Sequence, residues 1–280
     1  MKIAYFPKQT ALDSEPVWRA FLESAKRFGY DPVENATDAD AAVIWSVLWN
    51  GRMRGNQQIF HHYRNKGKPV FILEVGSLKR GQTWKVALNN ITRDGVYPNR
   101  GLLDLNRYKK LSIDLLPVRE NRRSEILIAC QHLSSHQWEG QPSIQEWVNK
   151  TISAVKSHTD RPIVVRMHPR FPFPSRFLGA RVEMPRKRSP NPNDFDFSFD
   201  YHCIINHNSG PSIQAPLNGT PVICDPSSLA WPVSSKFEDL ETICLPDREN
   251  WFHQLCHTEW TVEEIMSGAP LERLIPYISS

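Results

Sequence analysis

From Lys2 to Val75 the chain alternates short apolar runs with amphipathic stretches. Lys2 to Phe6 is strand-like and is followed by a Pro/Gln/Thr loop. Val17, Trp18, Phe21, Leu22 and Ala25 then recur at helical spacing until Gly29 stops them. Val33 opens a short second strand, and Ala41 to Val47 is apolar enough for a buried third. A helix is expected from Gln57 to Asn65, with Ile59, Phe60 and Tyr63 inward and Gly67 at its end, before a strand from Pro69 to Val75. Such alternation predicts a parallel sheet covered on both faces. Between Gly81 and Leu116 the period weakens among Gly/Asn-rich stretches, which we read as functional loops closing a first domain.

After an Arg/Asn-rich linker near Pro117 to Ser124 the alternation restarts. Glu125 to Cys130 predicts a strand ending in the polar loop Gln131-His132-Leu133-Ser134-Ser135-His136. Ser143 and Glu146 have the spacing of a capping box, opening a helix that turns Ile144, Trp147, Val148, Thr151, Ile152 and Val155 inward. Pro162 to Met167 is a strand running into His168-Pro169-Arg170. Tyr201 to Asn206 is another, running into His207-Asn208-Ser209-Gly210-Pro211. A short helix ends at Gly219, Pro221 to Cys224 is a strand, and Arg248 to Cys256 and Val262 to Met266 have helical spacing.

The pattern predicts an α/β protein of two Rossmann-like domains facing across a cleft, with polar motifs at the carboxyl ends of strands, where open α/β sheets bind ligands. The expected boundaries are a first Rossmann-like domain over 1–118, a second over 119–260, and a helical segment over 261–280 that packs back toward the first. No apolar run approaches the ~20 residues of a membrane span, so no membrane partner is expected. The N-terminus reads as a strand instead of a signal peptide. Five cysteines, an odd number, are expected as buried thiols in a cytoplasmic protein. The net charge of +4 is gathered in clusters that suit a diphosphate or polyanion, or simply a solvated face: Arg52/Arg54, Lys79-Arg80, Lys109-Lys110, Arg122-Arg123 and Arg186-Lys187-Arg188. For the nine Trp, core packing is the reading placed ahead of ligand stacking.

The turn from Asn206 to Ser212 joins a strand to a helix, and Ser209, Gly210 and Ser212 would present amides and hydroxyls there to phosphate oxygens. The plainer alternative is an N-cap. The longer segment INHNSGPSIQAPLNGTPVICD resembles the donor-binding segment of GT-B glycosyltransferases. VVRMHPR resembles the His-Pro motif of bacterial capsule Kdo transferases and GT-B sialyltransferases, and CHTEWTVEEIMSGAP resembles the C-terminal helical segment of capsule-type and phage-encoded relatives. ILEVGSLKRGQTWKVALNNITRDG resembles phage glycosyltransferases associated with modified DNA.

The resemblance implies the GT-B fold and a nucleotide-sugar donor, with UDP favoured, CMP admitted and no cofactor required. His168 and Arg170 would meet the donor phosphates opposite Ser209 and Ser212; Gln131, Ser134 and Ser135 are further donor-side candidates. A structural histidine is the plainer reading of His168, and Arg166 is expected as a buried charge partner. The resemblance also puts the general base of an inverting transfer in the N-terminal half. There Glu74 closes an apolar strand, with Lys79 or Arg80 as its expected partner, and ranks ahead of Asp13, which doubles as a candidate N-cap. Arg52, Arg54, Lys79 and Arg80 are the acceptor-side cations.

No metal is expected. Asp38-Ala39-Asp40 precedes its strand, Asp194-Phe195-Asp196 lacks a strand pattern, and His253/His257 beside Cys256 lack a fourth ligand. The reading placed first is transfer to a hydroxymethylated pyrimidine of phage DNA in the host cytoplasm. The alternatives are a glycan acceptor of capsule or lipopolysaccharide type and a non-catalytic nucleotide-binding module.

Overall fold

The computed structural model describes residues 1–171, 176–185 and 198–278. The Arg186-Lys187-Arg188 cluster and the Asp194-Phe195-Asp196 pair lie outside them. The first half runs β1 (Lys2–Tyr5), α1 (Glu15–Arg27), β2 (Asp31–Glu34), β3 (Ala41–Trp45), α2 (Asn56–Asn65), β4 (Val70–Val75), β5 (Trp84–Leu88) and α3 (Arg107–Leu111). The second half runs β6 (Ile126–Ala129), α4 (Ile144–Lys156), β7 (Ile163–Arg166), β8 (Arg181–Glu183), β9 (Cys203–Asn206), α5 (Gly210–Leu217) and β10 (Val222–Cys224). It closes with α6 (Glu249–Cys256), β11 (Glu259–Trp260), α7 (Val262–Ser267) and α8 (Ala269–Leu274). Two compact units result: residues 1–113, 134–136 and 253–280 form one, and residues 114–133 and 137–252 the other.

The first unit holds a six-stranded sheet in the order β11-β5-β4-β3-β1-β2. Pairing is parallel from β2 to β4 and antiparallel at β4/β5 and β5/β11. β3 is buried at every position, as a central parallel strand covered on both faces must be. Val17 and Phe21 of α1 pack on Phe71 and Leu73 of β4, and Ile265 and Leu271 of α7 and α8 join the same core.

The stretch from 81 to 116, read from sequence as loops, contains β5 and α3. For β5 the cause is Lys85, a cation within the strand, which breaks the apolar pattern yet is buried. Its partner comes from the far end of the chain. Glu259, fully buried, accepts from the amides of Ser77 (2.6 Å) and Leu78 (3.0 Å) and the hydroxyl of Thr83 (2.7 Å), and pairs with Lys85 Nζ at 3.2 Å. Gly76 is needed here, because a Cβ would collide with Thr83 O and the Glu259 carboxylate. Next to it, Arg107 lies 3.8 Å from the Trp260 ring centroid. Its guanidinium donates to the carbonyls of Cys256 and Glu259 and to the Glu264 carboxylate. Between the two stretches expected to be helical lies an edge strand, β11, and the first unit's C-terminal portion begins at 253.

The second unit holds a five-stranded parallel sheet in the order β10-β9-β6-β7-β8. β8, three residues long, escapes the sequence pattern. The Ser143/Glu146 capping box forms at α4. The linker lies along the second unit: the amides of Leu116 and Arg119 donate to the carbonyls of Leu217 and Gly219. Gly219 has φ +78, and a Cβ there would strike Pro117 O. These bonds draw the boundary back from 118 to 113/114. Arg248 and Arg119 donate to Pro216 O and Asn218 O, placing positive charge at the carboxyl end of α5. No helix of the described residues is long and apolar enough to cross a membrane.

Glu259→Ala leaves the buried Lys85 ammonium without its carboxylate and strips the Ser77 and Leu78 amides of their acceptor. Unfolding of the full chain in urea should show a loss of about 3–5 kcal/mol. A loss under about 1 kcal/mol, the range of an exposed pair, would contradict this account of β11.

Candidate functional site

In the second unit the chain passes from β6 through β7 to β8 on one side, then returns to β9 and β10 on the other. The strand order reverses between β6 and β9, and adjacent strands whose connections leave in opposite directions open a crevice at their carboxyl ends. Gln131 and His132 leave β6 at that point, His168 leaves β7, and His207, Asn208 and Ser209 leave β9.

Side-chain amides knit these ends together. Gln131 Nε2 donates to Asn208 Oδ1 at 2.9 Å, and the Asn208 amide donates back to Gln131 Oε1 at 3.2 Å. Asn208 Nδ2 donates to Ser227 Oγ (2.8 Å), and Gln137 Nε2 donates to Asn208 O (3.0 Å). Asn206 Nδ2 donates to Ala129 O (2.8 Å), while its Oδ1 accepts from the Ser209 amide (2.8 Å). Leaving any of these buried groups unmet costs about 1–3 kcal/mol, so together they fix the turn into α5.

Around this turn the sequence candidates divide. His168 is half-buried and Arg170 exposed, with the Arg170 amide donating to His168 Nδ1 at 3.2 Å. That bond puts the proton of the neutral His168 ring on Nε2. The His132 ring stands edge-on to His168 at 5.0 Å between centroids and 5.7 Å from Phe171. Ser209 is the residue before α5, and Gly210, with nothing within 4 Å of where a Cβ would sit, leaves the helix end open to approach.

Three donor-side expectations are corrected. Ser212 is fully buried, its hydroxyl donating to Ser209 O (2.7 Å) and meeting Ser228 Oγ (2.9 Å), so it faces into the unit. Gln131 is only 3% exposed and spends its amide on Asn208, which makes it a positioning residue. Ser134 and Ser135 belong to the first unit, where Ser134 O accepts from the Trp49 amide at 2.7 Å and Ser135 bridges Leu48. Arg166 is the charge partner expected, paired with Glu183 and bonded to Tyr201 Oη at 2.9 Å. His132, Asn206 and Asn208 were missed as site residues, although all three stand in the same strand-end turns as the residues chosen.

Burial sets the protonation at this site. It holds His132 below the usual imidazole range, with Arg170 adding to the effect. It depresses His207 as well, against the opposing pull of Asp225. Burial pushes the Cys130 thiol up to about 12 and that of Cys224 up to about 11, so neither flanking cysteine offers a thiolate near neutral pH.

In the first unit the order reverses between β1 and β3. Ser46, just beyond β3, is left-handed at φ +64 and 3% exposed. Its hydroxyl donates to Glu74 Oε2 at 2.6 Å, and the same oxygen accepts from the Val47 amide at 3.2 Å. Glu74 Oε1 accepts from the Val75 amide at 2.9 Å. Ser46 and two backbone amides, instead of Lys79 or Arg80, are therefore the partners of Glu74. Asp13 is exposed on the turn before α1, and the N-cap position belongs to Ser14, whose hydroxyl donates to Ala11 O. Arg52 and Arg54 are exposed on the turn between β3 and α2, and Lys79 (half-buried) and Arg80 (exposed) lie on the turn between β4 and β5. All four follow the carboxyl ends of adjacent parallel strands. His257 uses Nε2 to accept from the Asp104 amide (3.2 Å) and Nδ1 on His253 O (2.9 Å), a structural role for the His253/His257 pair.

Two Rossmann-like units of this topology define the GT-B class of α/β fold. A solved structure of Thermosulfurimonas dismutans KpsC, beta Kdo 2,4 transferase, matches over 96% of this chain and 98% of its own, with a TM-score of 0.53 and 13% identity. The KpsC beta Kdo 2,7 transferase of the same organism matches over the same shares, with a TM-score of 0.48 and 12% identity. No family model and no curated protein sequence matches the chain.

Four histidines, His132, His202, His207 and His257, are depressed from an ordinary 6.5, each chiefly by burial. The folded chain keeps them neutral while the unfolded chain takes up protons first. Their contribution to stability is complete above about 6.5 and is lost as pH falls from there toward the lowered folded values. Melting temperature should therefore be level just above about 6.5 and decline below it. A melting temperature constant through that decline would contradict the burial of these rings.

Proposed function

We propose that the protein is a glycosyltransferase that moves a sugar from a nucleotide-sugar donor to an acceptor hydroxyl. The observation that carries this reading is that His132 and the open N-terminal end of α5 follow the carboxyl ends of β6 and β9, where strand order reverses, with His168 and Arg170 after the same end of neighbouring β7 and His168 against His132. In the proposed reaction the acceptor oxygen attacks the anomeric carbon and the bond from that carbon to the diphosphate or phosphate oxygen breaks. The negative charge left on the nucleotide is met by the Arg170 guanidinium, by His168 Nε2–H and by the helix end at Ser209 and Gly210. Gln131, Asn206 and Asn208 hold that end in place. No metal is required, because side chains and a helix terminus supply the compensating charge.

The acceptor proton passes to Glu74 in this reading, with Asp13 as the lesser candidate. Ser46 Oγ and the Val47 amide fix one oxygen of Glu74, which orients the carboxylate at the end of β4. Arg52, Arg54, Lys79 and Arg80 flank it as acceptor-side cations.

For the acceptor we favour a glycan hydroxyl over a hydroxymethylated base of duplex DNA. The His-Pro segment resembles capsule Kdo transferases, and a Kdo transferase is among the solved structures that share the fold over nearly the whole chain. The N-terminal segment behind the DNA reading has a structural use: the Ser77 and Leu78 amides, Thr83 and Lys85 all serve Glu259. The donor base follows the same division, since the phage-like segment favours UDP and the His-Pro segment admits CMP.

The protein should be incubated with UDP- and CMP-sugars against two acceptors, a glycan panel and hydroxymethylated duplex DNA, and the products weighed by mass spectrometry. A glycan product is expected, undiminished by EDTA. A DNA product would move the assignment to the other acceptor, and no product with any pair would remove it. Glu74→Gln should lower turnover by roughly 10²–10⁴-fold with donor affinity unchanged. If Asp13→Asn is inactive while Glu74→Gln is not, the two roles exchange.

A further inference from the structure

In the second unit one hydrogen-bonded relay runs from the end of β6, past β9, to the residues after β10. Gln131 Nε2 donates to Asn208 Oδ1 (2.9 Å), Asn208 Nδ2 to Ser227 Oγ (2.8 Å), and Ser227 Oγ in turn to Asp225 Oδ1 (2.6 Å). Asp225 directly follows β10, and its Oδ1 also accepts from the Ser227 amide at 2.9 Å. Its own amide donates to His207 O at 2.9 Å, so Asp225 reaches the turn into α5 through both backbone and side chain.

The two ends of the relay decide its direction. The Asn208 amide can only donate, and it donates to Gln131 Oε1 at 3.2 Å, which leaves Gln131 Nε2 to face Asn208 Oδ1. A carboxylate can only accept. At the other end Asp225 therefore draws the single Ser227 hydroxyl proton to itself and turns that oxygen's lone pairs toward Asn208 Nδ2. A chain closed by a donor at one end and an anion at the other has one arrangement, and each bond polarises the next. Gln131 is 3% exposed and Asn208 5%, so bulk water offers neither of them a substitute partner. The ionisable group that faces Asp225 from β9 is His207, whose Nδ1 lies 3.6 Å from Asp225 Oδ2. Burial depresses that imidazole, so near neutral pH it carries no charge to draw the carboxylate away from Ser227.

We propose that Asp225 is a positioning residue that sets the N-terminal end of α5, acting through Ser227 and Asn208. Without its oxygen the Ser227 hydroxyl proton loses its acceptor and the hydroxyl is free to rotate, so Asn208 Nδ2 loses a fixed partner. Asn208 immediately precedes Ser209 and the open end at Gly210, which is where that freedom is felt. That Asp225 thereby serves a nucleotide donor rests on the sugar-transfer reading; that it fixes Asn208 does not.

Two measurements on the full chain test the relay and its consequence. The side-chain amide signals of Asn208 and Gln131 in nitrogen–proton NMR spectra, identified by their loss in Asn208→Ala and Gln131→Ala, report the relay without any ligand. In Asp225→Ala the Asn208 pair should move toward the position of an exposed amide and exchange faster with water. Asp225→Asn, which keeps an acceptor oxygen for Ser227, should leave it near the parent. Isothermal titration of UDP, UDP-sugar and CMP-sugar reads the consequence. Asp225→Ala should weaken binding roughly tenfold or more, because the helix end is no longer fixed beforehand. Ser227→Ala should match it, and the double variant should be no weaker than either single one, since both break the same chain. Glu241→Ala, which breaks an ion pair with Arg161 (3.1 Å) elsewhere in the unit, should bind like the parent and so separates lost stability from lost position. Parental Asn208 signals or parental nucleotide affinity in Asp225→Ala overturn the proposal. So does Asp225→Asn as disturbed as Asp225→Ala, or additive losses in the double variant. Should the parent bind no nucleotide, the donor reading fails by itself, and the Asn208 signals still decide the relay.

Discussion

Burial obliges the polar groups at the end of a parallel sheet to find partners, and in the second unit that demand converges on Asn208. Its side-chain oxygen, side-chain nitrogen, amide and carbonyl are each met, by Gln131, Ser227 and Gln137. Because Gln131 leaves β6 and Asn208 leaves β9, the bond between them spans the point where strand order reverses. The turn into α5 therefore has one arrangement, in which Ser212 is drawn inward and Gly210 is left open. A site for a charged ligand gains from such a frame, since groups fixed beforehand lose little freedom when the ligand arrives. In the proposed site His168 and Arg170 would then bring hydrogen-bonding capacity and positive charge without having to define the geometry.

The same principle builds the first unit from less obvious parts. Glu259 returns from the end of the chain to satisfy Lys85, Thr83 and two amides that β5 and its turn leave buried. Glu74 does this on a smaller scale at the end of β4, where it holds left-handed Ser46 and the amide of Val47. Strain of this kind persists only where the surroundings over-determine it, and at Ser46 the Glu74 carboxylate does so.

Much of this was legible from the chain alone where a local rule suffices. β3 follows from five buried apolar residues in a row, α4 from its capping box, and the strand ends at Gln131, His168 and Ser209 from where apolar runs stop. What was not legible depends on partners far off in sequence. Lys85 hides β5 because only Glu259 makes its burial tolerable. The direction of the Ser212 hydroxyl is set by Ser228, and the fate of Gln131 by Asn208. Nothing in the local pattern at Ser134-Ser135 tells that their backbone pairs with Leu48 and Trp49. Sequence spacing finds the end of a strand, and tertiary hydrogen bonds decide which side chains there face a ligand.

The central claim is that the second unit's switch point seats the phosphate of a nucleotide sugar through His168 and Arg170. Isothermal titration of UDP, UDP-sugar and CMP-sugar into the parent, His168→Ala and Arg170→Ala measures it without reference to any acceptor. The account predicts that the parent binds at least one of these nucleotides. Each variant, folded like the parent, should bind it more weakly by about 1.5–3 kcal/mol, the worth of a charged hydrogen bond. Parental affinity in both variants would contradict it.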